Sequence, residues 1–288
     1  MTSFQLIGNL QKMMRFLALS FVLYGKFTRK FPWISKGILK VCAFILSFTK
    51  LGRNIRKGLL VFGFDDPKLV RRNIYYLLFL FDRFLYGRYD PHFSSSLKEC
   101  LEINGLESLK QDLSPSKGAI LLTIHKGNFP WSIARVAQEV KVNVVLRNFK
   151  NKAIGNFIEE AFKYAGIKMI EQKGSLFKVR EALKRGELVV YLVDQYFFNL
   201  SRSERSQVLK EWLHFLRVRF GVPLFYGRIS EEVGKVKVEI FPLKDLNALN
   251  SLIFEDIYKE PHNWLWWYRI GKKDGISELV DFPFGKKT

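Results

Sequence analysis

The chain has 288 residues, 48% of them hydrophobic, and 47 Lys and Arg against 27 Asp and Glu give a formal net charge of +20 at pH 7. That apolar content excludes a disordered or low-complexity chain and suffices for one large α/β domain or two smaller ones. The charge calls for an anionic partner: a nucleic acid, a membrane surface or an acidic carrier. The two cysteines, Cys42 and Cys100, stand in unrelated contexts that give neither a disulfide framework nor a zinc site, so a reducing, cytosolic setting is expected.

No Asp or Glu occurs before Asp65, whereas Lys12, Arg15, Lys26, Arg29, Lys30, Lys36, Lys40, Lys50, Arg53, Arg56 and Lys57 all do. Apolar runs such as FLALSFVLYG and VCAFILSFT separate these bases, and Phe4 to Tyr24 and Trp33 to Phe48 read as amphipathic helices. The runs fall short of the roughly 20 residues that a membrane-spanning helix needs. YGKFTRK offers no small-residue cleavage site, so the arm is expected to stay in the mature chain and to lie on an anionic leaflet as a monotopic anchor. Packing of the two helices on one another as an ordinary subdomain is the alternative. Asp65-Asp66-Pro67 then marks a helix start, and Leu69, Ile74, Leu77, Leu78 and Phe81 form that helix's apolar side.

From about Leu97 strands and helices alternate. Leu101 to Gly105 is a short strand ending in a turn, and Leu106 to Leu113 a short helix. Ala119 to Thr123 is a buried strand that runs into His125, with a helix after Asn128. Val142 to Leu146, Ile167 to Ile170 and Leu188 to Val193 are further strands, separated by helices over Lys152 to Ala165 and Ser175 to Lys184. A helix over Ser203 to Phe220, strands over Val222 to Ile229 and Lys235 to Ile240, and a helical segment from Leu252 to Tyr268 complete the chain. This alternation predicts parallel βαβ units, with a helical region over residues 1–95 and an α/β domain over residues 96–288.

Polar residues collect after four of these strands: His125; Arg147, Lys150 and Asn151; Glu171 and Lys173; Asp194 and Gln195. Helix capping alone places some polar groups at such exits. A histidine, an arginine, lysines and an acid on one edge of a parallel sheet also suit an anionic substrate. Nucleic-acid binding fits the charge, but no helix-turn-helix, zinc-finger or aromatic RNA-binding pattern is evident.

Several blocks, in order, resemble the bacterial lipid A acyltransferases of the lauroyl and myristoyl transferase type. LEINGLESLKQDLSPSKGAILLTIHKGN is similar to the segment leading into that family's His-x-Gly-Asn-Trp-Glu, with His125, Gly127 and Asn128 in register. VVLRNFKN matches an Arg-and-Lys-Asn segment at Arg147, Lys150 and Asn151. LKRGELVVYLVDQ matches an Arg-Gly-strand-Asp block, and PHNWLWWYRIGKK a C-terminal block at Pro261, Trp264, Trp266 and Arg269. The resemblance implies a mixed, mainly parallel sheet flanked by helices. It also implies a membrane-associated acyltransferase on the cytoplasmic face of the inner membrane, needing no cofactor or metal. An acyl-CoA or acyl carrier protein would be the donor and an anionic lipid or glycolipid the acceptor, with no nucleic acid involved. His125 becomes the general base, and Gly127, Asn128, Arg147, Lys150, Asn151 and Arg269 become substrate- or phosphate-binding residues, to which the place of Lys173 at a strand exit adds Lys173.

One position departs from the pattern. The family's His-x4-Asp/Glu places an acid five residues after the histidine, where this chain has Pro130. Either another acid supports the histidine, with Asp194 at a neighbouring strand exit the candidate, or the chain keeps the fold and lipid contact without catalysis. YFFNLSRSERSQVLKEWLH after Asp194 also replaces the family's Pro-Phe-Phe-Gly type loop.

Overall fold

The computed structural model describes residues 23, 30–89, 92–146, 152–172, 174–197, 202–232, 235–265 and 267–270. Arg147, Lys150, Asn151, Lys173 and Trp266 lie outside these residues, as does the expected helix from Phe4 to Tyr24 apart from Leu23. Three helices come first: α1 (Pro32–Ser47), α2 (Lys50–Val61) and α3 (Pro67–Tyr89). Asp66 Oδ1 accepts the Lys68 N–H at 2.8 Å, the capping role expected ahead of Pro67.

The alternating region runs α4 (Phe93–Cys100), β1 (Leu101–Asn104), α5 (Leu106–Asp112), β2 (Ala119–Thr123), α6 (Phe129–Ala137), β3 (Val142–Leu146), α7 (Lys152–Tyr164), β4 (Ile167–Glu171), α8 (Ser175–Lys184) and β5 (Leu188–Leu192). The short α9 (Asp194–Phe197) and long α10 (Arg202–Phe220) lead into β6 (Leu224–Glu232) and β7 (Lys235–Pro242). The chain closes with α11 (Ala248–Lys259), a 3₁₀ turn at Pro261–Asn263 and α12 (Trp267–Ile270). Where Leu252 to Tyr268 reads as one helical segment, Pro261 ends it: proline cannot donate to the preceding turn and clashes with a continuing helix.

The sheet order is β1-β7-β6-β2-β5-β3-β4, parallel except for the β6–β7 pair, with β1 parallel to β7. This is the mixed, mainly parallel sheet expected, and both of its faces are covered. Ile120, Leu122, Val189 and Tyr191 face a core shared with α2, α3, α8, α10 and α11. Ala119, Leu121, Leu188 and Val190 face a second core against α4 to α7. Double coverage explains why β2 and β5 are buried along their whole length instead of alternating. Phe81 departs from the expected apolar side of its helix, being half exposed, while Ile74 is fully buried.

The α3 helix also ties the C-terminal segment to this frame. Asn73, buried, donates from Nδ2 to the carbonyls of His262 at 3.0 Å and Trp264 at 2.6 Å. Changing Asn73 to Ala leaves the buried Trp264 carbonyl and the partly buried His262 carbonyl short of a donor. It is expected to lower stability by about 2 kcal/mol, read as a shift in the urea unfolding midpoint at an unchanged slope.

Candidate active site

Strand register builds the site. β2 and β5 are neighbouring parallel strands paired up to Thr123 with Leu192, and Val193 N–H extends the pairing to the Thr123 carbonyl at 2.8 Å. Two residues past that last pair on each strand stand His125 and Asp194, side by side at the carboxyl edge of the sheet. His125 Nδ1 lies 2.7 Å from Asp194 Oδ1, and the His125 backbone N–H donates to Oδ2 at 3.1 Å. A carboxylate only accepts, so the facing ring nitrogen carries the proton and Nε2 is left as the basic one. Asp194 is fully buried. Its Oδ2 accepts a further hydrogen bond from Trp264 Nε1 at 2.9 Å. The Phe129 ring stands edge-on to the imidazole, 5.1 Å between centroids, and limits how far it can swing.

The loop carrying His125 is held by the C-terminal segment. Leu265 N–H donates to the His125 carbonyl and Gly127 N–H to the Asn263 carbonyl, both at 3.0 Å, around a bridge between Lys126 and Trp264. Gly127 has φ +57°, and a Cβ there would stand 3.0 Å from Ile229 Cγ2, so the turn needs glycine on both counts. Pro130 sits in the first turn of α6, where a missing N–H costs no helical hydrogen bond.

Lys126, 1% exposed, pairs with Glu260 at 3.0 Å. Asn128, also buried, donates from Nδ2 to Glu231 Oε1 at 2.8 Å, and Tyr76 donates its hydroxyl to the same oxygen. Burial and the neighbouring Glu260 carboxylate push Glu231 up to about 7, against two donors that favour its ionised form. Beside this cluster Asp256 accepts from Tyr226 at 2.7 Å and from Arg228 at 2.6 Å.

The structure thus brings together His125 and Asp194, the two residues singled out for catalysis. Gly127 and Asn128 support the loop through their own hydrogen bonds, and Arg269 is exposed on α12. The exits of β3 and β4 lie two and three strands from β2 on the same edge, but Arg147, Lys150, Asn151 and Lys173 fall outside the described residues. Sequence reading passed over Trp264, Glu231 and Tyr76 as site residues. Trp264 was signalled by the C-terminal block, whereas Glu231, in a strand that also carries Arg228, Ser230 and Glu232, was not signalled by local pattern.

Residues 86–206 match the family model described as bacterial lipid A biosynthesis acyltransferase, a segment holding β1 to β5, His125 and Asp194. No curated protein sequence matches the chain. Among solved structures, the 1-acyl-sn-glycerophosphate (LPA) acyltransferase PlsC from Thermotoga maritima is similar at 15% identity and a TM-score of 0.36, over 78% of this chain and 95% of that one. So loose a superposition transfers no residue role.

Glu231 gives this region a pH dependence. With its folded value raised from 4.5 to about 7, its neutral form is favoured in the folded state. That contribution is complete below pH 4.5 and is lost as pH rises through about 7. Glu231→Gln is expected to remove a stability loss on the order of 2 kcal/mol across that window. The check is the difference between urea midpoints of the two proteins at the ends of the window.

Proposed function

We propose, from an acyltransferase-family segment spanning residues 86–206 and holding both His125 and Asp194, that the protein moves a fatty acyl chain from a thioester to a lipid or glycolipid hydroxyl. The observation that carries this reading is the 2.7 Å contact between His125 Nδ1 and Asp194 Oδ1. With Asp194 fixing the tautomer, Nε2 takes the proton from the acceptor hydroxyl as its oxygen attacks the thioester carbonyl. Collapse of the tetrahedral intermediate forms the ester and expels the thiolate, which recovers the proton from the imidazolium. The donor is acyl-CoA or acyl carrier protein, and basic residues at the β3 and β4 exits hold the anionic part of the substrates. Asp194 fills the supporting role for which Pro130 has no group.

The same reading places the protein on the cytoplasmic face of the inner membrane. Among the described residues no helix is long and apolar enough to cross a membrane. The α1 helix turns Leu39 and Ala43 into the core, yet leaves Val41 59%, Ile45 59% and Phe48 69% exposed on its outer side. Lys36 and Lys40 on the same helix and Lys50, Arg53, Arg56 and Lys57 on α2 are all exposed. Exposed apolar side chains together with bases suit an anionic leaflet, where each base adds about 1 kcal/mol.

Two experiments test these statements. His125→Ala and Asp194→Asn are each expected to lower acyl transfer by about 10³ to 10⁴, because both remove a correctly oriented base. Pro130→Glu should leave turnover near its starting value, since Nδ1 already has its acid. The assay is ester formation from acyl-CoA in detergent-dispersed bacterial lipid; full activity of the Asp194 variant would refute the mechanism. Serine at Val41, Ile45 and Phe48 together should weaken binding to phosphatidylglycerol vesicles about 100-fold or more in a sedimentation assay. Unchanged binding would remove α1 as the anchor.

A further inference from the structure

We infer that Trp264 is a positioning residue for His125, acting through Asp194. The inference rests on His125 being the base but extends it to a residue that touches no substrate. Trp264 is fully buried, its ring 6.1 Å from Phe62 and 4.7 Å from Trp267, the latter perpendicular to it. Those contacts fix the direction of its single donor, which an indole can use only to donate. That N–H ends on Asp194 Oδ2, the oxygen that also accepts the His125 backbone N–H, leaving Oδ1 to the imidazole. The carboxylate is therefore pinned at both oxygens, from β2 on one side and from the C-terminal segment on the other.

Two consequences follow for the base. A carboxylate whose Oδ2 accepts two hydrogen bonds is held from rotating away from Nδ1, so the ring keeps the tautomer that leaves Nε2 basic. The indole also draws negative charge from Asp194, which weakens the carboxylate's hold on a proton at His125. Removing the N–H while keeping the ring therefore raises the proton affinity of His125 and loosens its orientation. Among the described residues, the other ionisable groups around the pair and the C-terminal segment include Tyr226, Asp256, Arg228, Lys126, Glu260, Glu231, His262, Arg72, Tyr76 and Tyr258, and the substitution leaves all of them in place.

The experiment replaces Trp264 with 3-benzothienylalanine, which has sulfur where indole has N–H, in the full chain in detergent micelles. Nitrogen-labelled histidine reports on His125 among the four histidines. The expected result is a His125 titration midpoint that moves upward relative to the unaltered protein, with faster exchange of its Nδ1 proton. With acyl-CoA and detergent-dispersed bacterial lipid, kcat is expected to fall about tenfold at an unchanged KM, the effect of one charge-assisted hydrogen bond. An unchanged midpoint in a folded variant would overturn the inference, because a purely structural tryptophan leaves the titration alone. If the variant does not fold, the unaltered protein decides: the Trp264 indole N–H resonance must move with the His125 midpoint, and a flat resonance overturns the inference. Linked titrations in a protein that transfers no acyl chain would support the tie between Trp264 and His125 while refuting the acyltransferase reading.

Discussion

Everything at this site depends on one buried carboxylate. Asp194 has no exposed side-chain surface, and a carboxylate taken out of water costs several kcal/mol unless donors replace the lost hydration. Three N–H groups do so: the backbone and ring of His125, and the indole of Trp264. They come from the end of β2 and from the segment after the 3₁₀ turn, while Asp194 itself follows β5. Satisfying the acid therefore joins the centre of the sheet to the C-terminal segment, and the same bonds that make the burial tolerable also orient the imidazole.

The far side of the histidine loop is held just as firmly. Lys126 and Glu260 form an ion pair with the lysine almost fully enclosed, and Asn128 and Tyr76 both reach Glu231. Asn73 braces the C-terminal segment that pairs with the loop. Residues 125 to 128 are thus clamped by α3, by β6 and by the turn after α11. A base needs its position fixed to within about 0.5 Å and its angle to within roughly 10–20°, and supporting hydrogen bonds to rigid elements provide that more reliably than a free loop. A near-neutral titration at Glu231 enters this clamp and not the His125–Asp194 pair itself.

Much of this was legible from local pattern. Largely apolar runs marked β2, β3 and β5 because both faces of a parallel sheet are covered, and Asp65-Asp66-Pro67 marked the start of α3. His125 and Asp194 could be paired from sequence because each stands at the exit of a buried strand, and parallel neighbours in register bring such exits together. Trp264 could not be assigned its bond, since an indole in an apolar run reads as packing until its donor's direction is known. Glu231 was hidden for a related reason: β6 continues beyond Ile229 to Glu232, and only its pairing with β7 shows that the strand extends so far. The crevice lysines and arginine rest on resemblance and on the order of the strand exits, which places their elements on one edge without describing their side chains.

Pro130 now has a physical setting. An acid five residues after the histidine would come from the first turn of α6, attached to the same loop as the base, and its position would follow the helix. Asp194 comes instead from the neighbouring strand, so its distance from His125 is set by sheet register, among the least deformable relations in an α/β fold. A proline in that first turn costs no helical hydrogen bond and presets the backbone angle with which α6 begins. No carboxylate is needed at position 130 to hold Nδ1, because Nδ1 is already bonded to Asp194. A carboxylate placed there would find that nitrogen occupied, so it adds nothing to the orientation on which proton transfer at Nε2 depends.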